Sequence, residues 1–175
     1  MLTTGKKGIE LIKHFESLHD GDLTEIGLQP KMDPIGIWTE GYGHAMRHPD
    51  TGEFLKGEEN EALARELTFI NDPNVDDKTE AEQLLQLDLI SREKFINKLN
   101  LNLNQNQFDA VVSFTFNLGT GNLLASTLLK RITVDPLNPD IAYQFSRWNK
   151  AGGKILAGLV RRRKDEATLY FEAIN

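Results

Sequence analysis

The chain has 175 residues, 39% hydrophobic and 26% charged, which suits one well-packed domain with room for two lobes. It has no cysteine, so it forms no disulfide and needs no oxidising compartment. Its formal net charge of −6 argues against a general binder of nucleic acid or of an acidic envelope.

The opening stretch, MLTTGKKGIELIK, reads as an amphipathic helix and not as a signal peptide, and no apolar run reaches membrane-spanning length. Ile9, Leu11, Ile12 and Phe15 recur at helical spacing, with Thr3 or Thr4 available as a cap. Glu16 ends this pattern on the edge of the apolar stripe. An acid there can border a cleft, although a lone glutamate near a helix end is more often simply solvated. Residues 17–32 are turn-rich. The stretch DPIGIWTEGYGH, from Asp33 to His44, then supplies β-forming bulk at Ile35, Ile37, Trp38 and Tyr42. Pro34 and Gly36 predict a tight hairpin tip. Asp33 and Thr39 are six positions apart, so on an extended strand they face the same side. A helix ending in a carboxylate, followed by a ribbon with a carboxylate and a hydroxyl, is what a glycosidase needs. One acid protonates the leaving oxygen, and the other, with the hydroxyl, holds the attacking water.

Further on, HPDTGEF reads as a turn, and Glu58 to Ile70 as a short helix with Leu63, Leu67 and Ile70 on one side. Asp77 and Glu80 form a capping box that opens a helix over about 79–99. Its apolar positions are Leu84, Leu87 and Ile90, or Leu85 and Leu89, followed by Phe95, Ile96 and Leu99. NLNLNQ marks a loop and a cap. For NQFDAVVSFTFNLG, propensity predicts a strand and length predicts a buried helix ended by Gly119 to Gly121. Leu123 to Ile132 reads as one helix, Ile141 to Trp148 as another, and AGGK as a break. A last helix covers about 158–173, with Leu159, Ala167, Leu169 and Tyr170 available to pack. Arg161, Arg162 and Arg163 at its start read as a solvated basic face.

GIELIKHFES at 8–17, DPIGIWTEGYGH at 33–44, TEAEQLLQLDL at 79–89, NQFDAVVSFTFNLG at 106–119 and SRWNKAGGKILAGLVRRRKDEATLY at 146–170 span nearly the whole chain. In order and content they resemble the phage-type lysozymes, the endolysin family that includes the lysozyme of T-even phages (glycoside hydrolase family 24). The resemblance implies an α+β, two-lobed fold within a single domain, 1–175. A small lobe with a β-hairpin would cover about 17–78. A long helix over about 79–99 would link it to a larger all-helical lobe of about 100–175, joined by the N-terminal helix. The implied activity is hydrolysis of the β-1,4 bond between N-acetylmuramic acid and N-acetylglucosamine in bacterial peptidoglycan. Glu16 would be the general acid, in an apolar and partly desolvated site, and Asp33 with Thr39 would position the water. Inversion at the anomeric carbon is implied, with carboxyl groups roughly 6.5–9.5 Å apart. Phe116 and Thr127 fall at sugar-binding positions, and His44 at a supporting position near the acid. An arginine of the last helices would pair with Glu16, and any of Arg161, Arg162 and Arg163 fits that description. No cofactor, metal, nucleic acid or membrane segment is implied. The chain would be a monomer, made in the bacterial host cytoplasm and acting on the wall after release or delivery.

The sequence departs from this pattern in one place. Sixteen residues separate Glu16 from Asp33, more than the family spacing. Glu25 falls at the shorter spacing, but six residues on from it stands Lys31, not a threonine. Asp20 and Asp22 fail the same test. An insertion in the connecting loop is the simpler account, since loops accept insertions at small entropic cost. Two rival functions are an inactive peptidoglycan-binding module and a zinc amidase. The first would have lost Glu16 or Asp33, and both are present. The second would draw on His44 and His48, with His14 and His19 upstream. Pro49 opposes a helix presenting both rings, and no clear third ligand accompanies them.

Overall fold

Two compact units divide the chain: Glu16–Asp88, and Met1–Phe15 with Leu89–Asn175. The computed structural model describes residues 1–16, 29–70 and 77–174.

The unit Glu16–Asp88 is built on a three-stranded antiparallel sheet in the order β1 (Lys31–Met32), β2 (Trp38–Glu40), β3 (His44–Ala45). Lys31 pairs with Thr39 and Met32 with Trp38; on the other side Thr39 pairs with Ala45 and Glu40 with His44. Strand alternation therefore puts Met32 and Trp38 on one face, where they join Met46, Leu55, Leu63 and Ala64 in a small core. The Trp38 indole N–H donates to the Gly57 carbonyl at 2.8 Å, so the ring is anchored at its polar edge as well. The hairpin tip falls where Pro34 and Gly36 predict it. The Gly36 amide donates to the Asp33 carbonyl at 3.0 Å, and Gly36 takes φ 84°, which a side chain would resist. Asp33 and Thr39 lie on opposite arms of the hairpin, not along one strand. They still share a face, because Thr39 pairs with Lys31, two residues before Asp33. The expected helix over 58–70 is shorter: a 3₁₀ turn at Glu58–Asn60 leads into α2 (Glu61–Leu67). Ile70 is buried, whereas Leu67 is exposed.

Helices make up most of the other unit. The first, α1 (Lys6–Glu16), buries Gly8 and Ile12. Thr4, a candidate cap, donates its hydroxyl to Glu93 at 2.6 Å. The long helix α3 (Asp77–Lys98) starts in one unit and ends in the other. Leu84, Leu85, Leu89 and Ile96 are buried, while Leu87 and Ile90 are exposed, which decides between the two apolar registers. The Asp77 side chain expected to cap α3 lies outside the described set.

For α4 (Gln105–Leu118), length wins over β propensity. Residues 106–115 are buried without interruption, and such burial outweighs the few tenths of a kcal/mol that each Val, Thr or Phe costs a helix. Asn104 and Gln107 form a reciprocal capping box at its start, and Gly119 at φ 85° ends it. The helix expected from Leu123 to Ile132 is two helices, α5 (Thr120–Ala125) and α6 (Thr127–Val134). Ser126 between them is extended, and its hydroxyl oxygen accepts the Leu129 amide at 3.0 Å, capping α6. After α7 (Asp140–Ser146), the AGGK break is a small hairpin: β4 (Lys150–Ala151) pairs with β5 (Lys154–Ile155) around two glycines of positive φ. The last helix, α8 (Ala157–Phe171), packs on α4 and α7. Phe114 meets Phe145 and Trp148 edge-on, with centroids 5.7 and 5.6 Å apart.

The basic run at the start of α8 is not a solvated face. Arg161 is exposed, but Arg162 and Arg163 are 3% and 1% accessible and turn inward onto fully buried Glu166. Glu166 Oε1 accepts from the Ser113 hydroxyl at 2.8 Å, from Arg163 at 2.9 Å and from Arg162 at 3.2 Å. Burial pushes the Glu166 carboxyl up to about 7, against both guanidiniums, which hold it down. Removing one partner of such a cluster strands buried charge. Glu166→Ala should therefore cost about 3–5 kcal/mol in denaturant unfolding. Arg161→Ala, one residue from the buried pair, should stay within about 0.5 kcal/mol of wild type.

Candidate active site

The β2–β3 ladder sorts the polar side chains of this unit by face. Asp33 and Thr39 share the face opposite the Trp38 core, and Glu40 and His44 share the Trp38 face. Asp33 Oδ1 accepts the Ile35 amide at 2.9 Å and the Ile37 amide at 2.8 Å, closing the tip over its own carboxylate. The same residue's amide donates to the Ile37 carbonyl at 2.8 Å. Asp33 is half-buried and Thr39 buried. The Thr39 hydroxyl donates to the Lys31 carbonyl, its cross-strand partner, at 3.0 Å.

Glu16, on α1, is half-buried. A Cβ built on Gly43 would lie 3.7 Å from Glu16 Oε2, so the carboxylate sits against the backbone just before β3. Gly43 itself takes φ 86°, a conformation that L side chains resist. His44 follows, and its Nδ1 lies 2.9 and 3.0 Å from the two Asp88 oxygens. The Asp88 hydrogen bond raises the His44 pKa. Burial opposes this, and the charges of Asp88 and Glu40 add to it.

Sequence reasoning did not single out two acids of this unit. Asp88, 44 residues from its histidine, has no local signature. Glu40 had one, since alternation from Thr39 puts it on the core face. It is buried, and its Oε2 accepts from the Thr68 hydroxyl at 2.6 Å and the Phe69 amide at 3.0 Å, tying β2 to the end of α2. The two other expected site residues belong to the helical unit. Phe116 is half-buried near the end of α4 under the Arg92 guanidinium, 5.4 Å from the ring centroid. Thr127 is half-buried as the first residue of α6. Glu25, Asp20, Asp22 and His19 lie outside the described residues. Among the described residues, no three His, Asp or Glu side chains gather as metal ligands, and His48 Nδ1 accepts the Asp50 amide at 3.2 Å.

A family model for phage lysozyme matches residues 24–166. The endolysin of Acyrthosiphon pisum secondary endosymbiont phage 1 is 32% identical over 96% of this chain and 97% of its own length. The endolysin of Bacillus phage B103 is 32% identical over 97% of this chain. The chain spans about half the length of that protein and of its Bacillus phage PZA counterpart. Among solved structures, a P22 lysozyme variant superposes with a TM-score of 0.72 at 27% identity, covering 98% of this chain and 100% of that one. The muramidase domain of SpmX from Asticaccaulis excentricus gives 0.70 at 28% identity, covering 99% and 100%. The protein belongs to the phage lysozyme family.

Two outcomes test the local geometry. His44 has a folded pKa above its unfolded value of about 6.5, so the pair's contribution is complete below that pH. It is lost as pH rises through the folded pKa. Asp88→Asn should thus destabilise the protein more at pH 5.5 than at pH 8.5 in thermal unfolding, where a charged hydrogen bond contributes about 1.5–3 kcal/mol. Gly43→Ala should cost about 1–2 kcal/mol for its left-handed backbone. It should also reduce activity, because the strain falls beside Glu16.

Proposed function

We propose that this chain is a muramidase that hydrolyses the β-1,4 bond between N-acetylmuramic acid and N-acetylglucosamine in bacterial peptidoglycan. One observation carries the reading. Glu16 and the hairpin bearing Asp33 and Thr39 belong to one compact unit, with the Glu16 carboxylate against Gly43. The endolysin and muramidase names of the relatives support the substrate class.

The mechanism follows from which protons are already committed. Glu16 donates its proton to the leaving glycosidic oxygen. Asp33 Oδ1 is engaged by two amides, so Oδ2 takes a proton from the attacking water. The Thr39 hydroxyl proton points at the Lys31 carbonyl, so its oxygen is set as an acceptor for the second water proton. Asp33 and Thr39 form a diagonal cross-strand pair, whose Cα atoms lie roughly 7–8 Å apart in such ladders. A water held by both turns its lone pair outward to the anomeric carbon, and attack from that side inverts the configuration. His44, fixed by Asp88, supports the backbone beside the acid. The chain acts as a monomer, is made in the bacterial cytoplasm, and meets the wall on release or delivery.

Variants of the two acids and the hydroxyl test the assignment. On purified peptidoglycan, Glu16→Gln and Asp33→Asn should each lower the release of new reducing ends by about 10²–10⁴-fold or more, with the fold intact. Thr39→Ala should reduce it strongly, Glu25→Gln should change it little, and a chelator should have no effect. An active Asp33→Asn beside an inactive Glu25→Gln would show that the hairpin is aligned wrongly. Release of amino groups without reducing ends would point to an amidase.

A further inference from the structure

Charge is divided between the two units far more sharply than the net value of −6 suggests. Residues 16–88 hold 18 Asp and Glu against five Lys and Arg; 1–15 with 89–175 hold eight against fifteen. Within the latter set, residues 141–164 contain seven Lys and Arg and no Asp or Glu. Arg162 and Arg163 are turned inward onto Glu166. The remaining five, Arg147, Lys150, Lys154, Arg161 and Lys164, are exposed.

These five are gathered on adjoining elements. α7 packs on α8, and the β4–β5 hairpin joins them, with the Leu156 amide donating to the Asn149 carbonyl at 3.0 Å. Ala142, Ser146 and Asn149 face Val160, Lys164 and Thr168 across a cavity of about 380 Å³. Bulky apolar side chains stand in the open among the cations: Tyr143 is 62% exposed, Ile155 63%, Leu156 44% and Val160 43%. Ile155 is the direct cross-strand partner of Lys150.

Cations alone would suit any polyanion. Exposed branched aliphatics interleaved with them suit a partner that offers phosphate and hydrocarbon at one boundary. A polyphosphate or a carboxylate-bearing glycan offers only the charge. We propose that the α7–α8 face and the β4–β5 hairpin form a peripheral docking surface for an anionic phospholipid bilayer. Lys150 and Lys154 meet headgroup phosphates while Ile155 and Leu156 enter the acyl boundary, and the lysine stems extend along it. Among the described residues no helix is long and apolar enough to cross a membrane, so the association lies in the interface and is reversible.

Co-flotation of the full chain with vesicles tests this apart from any glycan chemistry, since a vesicle holds no sugar to cleave. Vesicles of phosphatidylglycerol in phosphatidylcholine should capture the protein, less so in high salt, and pure phosphatidylcholine should not. The combined variant Lys150→Gln, Lys154→Gln, Arg161→Gln, Lys164→Gln should bind about 100-fold or more weakly. Ile155→Ser with Leu156→Ser should bind about 10-fold more weakly, and both variants should keep the wild-type unfolding midpoint. No capture by phosphatidylglycerol vesicles, or equal capture by phosphatidylcholine alone, would overturn the proposal. So would wild-type binding by the serine variant, which would mark a site for a soluble polyanion instead.

Discussion

Two cross-strand pairs, Lys31 with Thr39 and Glu40 with His44, set the faces that Asp33, Thr39, Glu40 and His44 present. Strand periodicity is two, so a slip of one residue would exchange the faces entirely. Thr39 would turn into the Trp38 core, and Glu40 would replace it beside Asp33. The register is held from both sides of the sheet. Below, Trp38 and Met46 are buried together and the indole is tied to Gly57. Above, Asp33 gathers two amides of its own turn. The carboxylate assigned to activate water is therefore also the clamp on the hairpin tip, so its position is fixed before any substrate arrives.

Three buried acids serve structural joints instead. Glu40 has its Oε2 engaged by Thr68 and Phe69. Glu166 is enclosed by Ser113, Arg162 and Arg163. Asp109 accepts the Gly5 amide at 2.9 Å and the Gly8 amide at 3.2 Å, fixing the start of α1 against α4. Each closes a structural joint, and each would leave a buried charge or backbone donors unmatched if truncated.

Features carried by local pattern were legible in the sequence. The helix through Ile9, Ile12 and Phe15, the tip at Pro34 to Gly36 and a cap in the asparagine-rich stretch before α4 follow from periodicity and turn chemistry. Features decided by distant partners were not. Glu166 lies one turn on from Arg162 and Arg163, but nothing near them announces that Ser113 on α4 joins it in a buried cluster. Asp88 is found only through the fold. The β4–β5 hairpin had a signal in its Gly-Gly pair, but its flanking Lys and Ala residues are poor strand formers. The break at Ser126 was visible as a serine two residues before a leucine pair, yet the unbroken apolar pattern around it predicted one helix. Net charge conceals a different feature, because it averages an acidic unit with a basic one.

The configuration of the first product tests most directly whether a water held by Asp33 and Thr39 attacks the anomeric carbon. A soluble peptidoglycan oligomer can be digested inside the NMR tube and the new anomeric proton read before mutarotation. The account predicts the α-anomer first, with the β-anomer appearing only as mutarotation proceeds. The β-anomer formed first would mean a covalent intermediate on a carboxylate, and would contradict the role given to the water.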